Sequence, residues 1–112
     1  LIAQSVRAVL YRAAYCLIHG ARNLSEMLRQ EGAVTRFAGQ ALPNYDPEEL
    51  NYIRELIAEH HQSTHQPIQF AAFYGDQIAA MVGYPSLGLS AYAGLVVATL
   101  DAPANPISLL TP

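Results

Sequence analysis

The sequence predicts a mainly α fold, with α+β as the alternative, and three observations carry that reading. Apolar residues recur at helical spacing from Ile2 to Leu17 and again from Leu50 to Ile57. Helix-start signals stand at Asn23 and at Asp46-Pro47. Charge is split unevenly: of 6 basic and 9 acidic residues, only Asp76 and Asp101 lie beyond His60. A length of 112 residues suffices for one small core. Residues 1–66 therefore read as an amphipathic helical half and 67–112 as an uncharged packing half, together one domain or a fragment of a larger one.

The first helix is expected over 2–19. On a helical wheel Ile2, Val6, Val9, Leu10, Ala13, Cys16 and Leu17 share one arc, and Gln4, Arg7, Tyr11, Arg12, Tyr15 and His19 share the opposite one. The apolar arc should face the core, and Gly20 suits the position just past the end. Asn23 followed by Glu26 has capping-box spacing, and Gly32 marks a stop, which gives a second helix over 24–31. Residues 33–45, with Gly39, Pro43 and Asn44, show no period and read as a connector. In Asp46-Pro47-Glu48-Glu49 a capping carboxylate, a proline at the first helical position and two acids all suit the positive end of a helix. That third helix should run over 47–62 with Leu50, Ile53, Leu56 and Ile57 inward, and Pro67 should stop any continuation.

Beyond Pro67 the periodicity is ambiguous. Residues 68–74 read as a short helix or an extended segment, Gly75-Asp76 as a turn or a cap for a helix over 77–82, and 95–100 as a buried strand or the end of a helix. The tail, with Pro103, Pro106 and Pro112, is expected to be extended and to run over a neighbouring chain. Residues 78–100 form an uncharged run long enough for a bilayer. It includes Pro85 and three glycines, and no arginine concentrates at either end, so a membrane-embedded subunit is an alternative rather than the first reading.

Several chemistries are excluded by residue type. There is no lysine, which removes a Walker-type phosphate loop, a Schiff-base lysine, a kinase-type lysine and a Ser-x-x-Lys nucleophile. Cys16 is the one cysteine, so no internal disulfide can form. Arg7 and Arg12 interrupt the apolar run of residues 1–19, which therefore does not read as a signal peptide; a start at Leu1 is expected of a cleaved, trimmed or partial chain. Gly88-Leu-Ser90-Ala-Tyr92 departs from the G-x-S-x-G elbow at its last glycine, and no histidine follows Ser90.

The one cluster with chemical reach is Glu59-His60-His61-Gln62-Ser63-Thr64-His65. If the helix continued, His61 and His65 would share a face at zinc-ligand spacing, with Glu59, Glu55 or His19 as a third ligand. Gln62 stands where the zincin pattern needs its general-base glutamate, so a metal site here would bind rather than hydrolyse. The Arg7, Tyr11, Arg12, Tyr15 face mixes guanidinium and aromatic groups, as single-strand nucleic-acid binders do. A net charge of −3 gives that reading little electrostatic support.

The reading that absorbs most of these observations is a non-enzymatic structural or assembly segment, without a cofactor, in a multi-subunit particle such as a capsid-like shell of a virion or another intracellular particle. Its partners would be other protein chains, met through Tyr11, Tyr15, Phe70, Phe73, Tyr74, Tyr84 and Tyr92, residue types that interfaces favour. A small metal-binding domain built on His60, His61 and His65 is the other alternative.

Overall fold

A computed structural model describes residues 2–20 and 23–110. The order of elements is α1 (Ile2–Ile18), α2 (Leu24–Ala38), α3 (Pro47–Ala58), α4 (Gln66–Tyr74), α5 (Asp76–Met81), α6 (Ala93–Asp101) and a closing 3-10 turn (Pro106–Leu110). Among the described residues there is no strand, and the α+β alternative is not seen. The radius of gyration, 13.7 Å, matches the roughly 13 Å of a compact unit of this length.

The local signals at the starts of α2 and α3 are realised in full. Asn23 Oδ1 accepts from the Glu26 amide at 2.9 Å while Glu26 Oε1 accepts from the Asn23 amide at 3.3 Å. Asp46 Oδ1 accepts from the Glu49 amide at 2.8 Å, with Pro47 opening the helix. Ile53 and Ile57 are buried, and Leu50 and Leu56 half-buried, as the α3 stripe requires.

Three boundaries fall elsewhere than expected. α2 runs through Gly32 to Ala38 and ends at Gly39, whose φ of 72° is the left-handed cap that glycine favours. Gly32 is there for proximity: a Cβ on it would stand 2.2 Å from the Ala98 carbonyl oxygen. α3 stops at Ala58 rather than continuing to 62. Pro67 does not end a helix; it sits in the first turn of α4, where its missing N–H costs nothing. α6 likewise resolves the strand-or-helix question for 95–100 in favour of helix.

α2 lies at the centre, packed on α6 along one side and α1 along the other, while α4 and α3 cover the rest of α6. One core joins Leu24, Ile53, Ile57, Ala72, Phe73, Leu89, Ala93 and Val97. A smaller one joins Ala8, Tyr11, Tyr15, Ala33, Val34 and Ala38, with Phe37, Leu109 and Leu110 against it. The uncharged second half therefore supplies the interior of this chain's own fold. α6 is apolar on nearly every side because it is surrounded, and Gly94 lets it approach α4 so closely that a Cβ there would stand 2.2 Å from the Ala72 carbonyl oxygen. The tail, expected to be extended, closes in a 3-10 turn in which Pro106 is buried and Leu109 and Leu110 lie against α1 and α2. Pro112 is outside the described residues.

The largest correction concerns α1, which is turned around relative to its hydropathy. Its tyrosine and arginine arc faces the body, and its aliphatic arc faces out. Tyr11 and Tyr15 are each 2% exposed. The Tyr11 hydroxyl donates to the Pro106 carbonyl at 2.5 Å, and its ring stacks on Phe37 at 5.0 Å. Arg12 grips Glu31 with two bonds, Nε to Oε2 at 3.0 Å and Nη2 to Oε1 at 2.7 Å. Arg7 lies over the Phe37 ring, Gln4 donates to the Gly39 carbonyl, and His19 Nε2 is 2.7 Å from the Leu109 carbonyl oxygen. Tyrosine and arginine carry large apolar bodies with polar tips. Here the tips of Gln4, Tyr11, Arg12 and His19 find hydrogen-bond partners on the body of the fold, which suits this arc to the inside.

Candidate interaction surface

The structure distributes the predicted interface aromatics through the interior. Tyr11 and Tyr15 belong to the smaller core and Phe73 to the larger one. Phe70 packs on Tyr74 at 4.8 Å and edge-on to Tyr84 at 5.3 Å, and Tyr74 meets Tyr92 edge-on at 6.0 Å. Of this set Tyr92 alone is exposed. It has a φ of 56°, a left-handed backbone uncommon outside glycine, held by its amide bonded to the Tyr74 carbonyl at 3.0 Å. Burial raises the Tyr11 hydroxyl pKa, with the neighbouring Tyr15 adding to the rise, and burial likewise raises those of Tyr15 and Tyr45.

Between α1, α2 and α4 lies an open cleft of about 920 Å³, lined by Arg12, Gln30, Glu31, Gln69, Phe70 and Tyr92 among others. Its charged groups are engaged with each other. Gln30 donates to Glu31 Oε2 at 2.9 Å beside the two bonds from Arg12, and the Glu31 hydrogen bond holds the guanidinium above its usual pKa. The same pairing turns the Arg7, Tyr11, Arg12, Tyr15 face inward, where it binds α2 and the closing turn.

The histidines do not converge. α3 ends before them, so His61 and His65 never share a helical face. His61 Nδ1 is 2.7 Å from the Ala58 carbonyl oxygen, and His65 precedes α4 in extended conformation with its amide bonded to Ser63 Oγ. Among the described residues no three His, Cys, Asp or Glu side chains gather where they could hold a metal ion. The turn they occupy has a backbone role that sequence reasoning missed. The Ser63 and His61 carbonyls accept from the Leu24 and Ser25 amides at 2.9 and 2.8 Å, satisfying the open N-terminus of α2.

The 83–92 segment is tied down by Asp76 and by side chains of α3 and the connector before it. Asp76 accepts from the Leu87 and Gly88 amides at 2.8–3.0 Å. Tyr52 and Tyr45 donate to the Gly88 and Ala91 carbonyls at 2.9 and 2.6 Å, and Ser90 donates to Glu49 at 2.6 Å. Ser90 is thus a structural donor. This segment also interrupts residues 78–100, and no helix among the described residues is long and apolar enough to cross a membrane.

What remains uncovered is the outer arc of α1. Ile2 is 82% exposed, Val6 51%, Val9 61%, Leu10 64% and Leu17 89%, with Ala13 exposed among them and Cys16 exposed at the edge of the arc, where its thiol donates to Gln30 Oε1 on α2 at 3.6 Å. Smaller apolar exposures occur at Met81–Val82, Leu100 and Ile107. Comparison with protein-family models, with curated proteins and with solved structures finds no match to this chain.

Proposed function

We propose that this chain is a structural assembly segment that works through protein–protein contact, in a multi-subunit particle of which a capsid-like shell is one form. The observation that carries the reading is the aliphatic arc of α1, five large side chains each more than half exposed on one helix face. Contiguous apolar surface of that extent marks contact with another molecule. The polar arc of the same helix is spent on the fold, which leaves the aliphatic arc free for a partner. Among the described residues the charged groups of the cleft are paired with each other and the histidines of the turn do not converge, which supports a non-enzymatic reading.

The test is native mass spectrometry of material isolated from its source, as the natural chain and as the Val9→Glu/Leu17→Glu variant. The natural chain is expected within a larger protein complex and the variant free of it. A natural chain found only as a free monomer overturns the proposal.

A further inference from the structure

The outer arc of α1 has a spacing as well as a polarity. Ile2, Val6, Val9, Ala13 and Cys16 are separated by four, three, four and three residues, the alternation that keeps a seam facing a second helix. Leu10 and Leu17 widen the seam along one side. We infer that the occupant of this seam is α1 of a second copy of this chain, forming an isologous helix pair across the Val6, Val9 and Ala13 positions. The inference rests on the assembly reading and names its partner.

Three observations favour a second copy. The seam carries no charged side chain, and the two arginines of α1 are turned away, Arg12 onto Glu31 and Arg7 onto Phe37. Two copies can therefore meet without opposing like charges. A twofold interface uses the same patch on both partners, and a 3-4 repeat is complementary to itself. Ala13 lies within the seam and lets the helix backbones draw near, with the bulkier Val and Leu on either side to fill the space. The exposed arc offers on the order of 600 Å² per partner, the lower bound of specific interfaces, so the pair should be concentration-dependent rather than permanent. A lipid surface is disfavoured by the same facts, since interfacial helices flank their apolar face with basic residues and this chain has a net charge of −3.

The experiment is sedimentation velocity of the purified chain over a hundredfold concentration range, with the Cys16 thiol as an internal reporter. Rising concentration should shift the mass from 12.2 kDa towards twice that value. The rate of Cys16 modification by a bulky disulfide reagent should fall at least tenfold in parallel. Val9→Glu, at an exposed position, should keep the helical circular dichroism, remain monomeric throughout and leave Cys16 fully reactive. A chain that stays monomeric, or a dimer that Val9→Glu leaves intact with Cys16 still reactive, overturns the inference. If the pure chain is monomeric but the source material holds it in a complex lost in the variant, the second copy is excluded while the assembly reading stands. If it is free in both, both fail. Binding of the monomer to phosphatidylcholine vesicles, abolished by Val9→Glu, overturns the inference in favour of lipid.

Discussion

Gly32 and Ala98 meet where α2 crosses α6, and the crossing leaves no room for a side chain between them: a Cβ on Gly32 would stand 2.2 Å from the Ala98 carbonyl oxygen and 3.0 Å from the Ala98 Cβ. A glycine inside an exposed helix costs about 1 kcal/mol relative to alanine. Here the sign reverses, because the neighbour is backbone and cannot rotate away. Gly32→Ala is expected to destabilise by about 1–3 kcal/mol, as overpacked cores do, read as a lower urea midpoint with an unchanged slope.

Tyr11 ties α1 to the closing turn through the Pro106 carbonyl. Tyr11→Phe leaves that acceptor buried and unpaired, so a loss of about 1–3 kcal/mol is expected. Urea unfolding at neutral pH measures it.

The same hydroxyl predicts an alkaline limit. Tyr11, Tyr15 and Tyr45 have folded-state pKa values raised above the ordinary 10.0, by burial first. Their contribution is complete below that value. As pH rises past it the unfolded chain ionises before the folded one, and stability falls. Urea midpoints should hold steady from pH 7 to 9 and drop above 10, and Tyr11→Phe should show a shallower drop.

Asp76 holds the loop between α5 and α6 by accepting from Leu87 and Gly88. Asp76→Ala strands those amides and is expected to cost about 1–3 kcal/mol. The thermal midpoint should fall by at least about 4 °C.

Zinc should leave the chain indifferent. His61 and His65 stand on a turn and at the start of α4, not on one helical face. His61→Ala/His65→Ala is expected to melt within 1–2 °C of the natural chain with or without zinc, and a zinc-dependent rise in midpoint would contradict this.

What was legible in the sequence was local. Asn23 with Glu26, and Asp46 with Pro47, announce helix starts because each cap is closed by residues three positions apart. The inner face of α3 was legible for the same reason. The orientation of α1 was not, because hydropathy ranks Tyr11 and Arg12 below Val9 and Leu17, while the deciding partners, Pro106 and Glu31, are remote in the chain. The scarcity of charge after His60 reads as cover by partner chains, whereas the fold shows α2 and α3 of this chain packed on α6. The metal spacing at His61 and His65 assumed a helix that ends at Ala58.

The turn between α3 and α4 lends its carbonyls to the Leu24 and Ser25 amides, so the first turn of α2 is expected to be completed late in folding. Its capping box can form from neighbouring residues alone, yet two of its open amides wait for a loop that closes only when Ser63 arrives. Such closure must precede the contacts that reward it. Hydrogen exchange at Leu24 and Ser25 therefore reports the docking of the α3–α4 turn rather than the winding of α2.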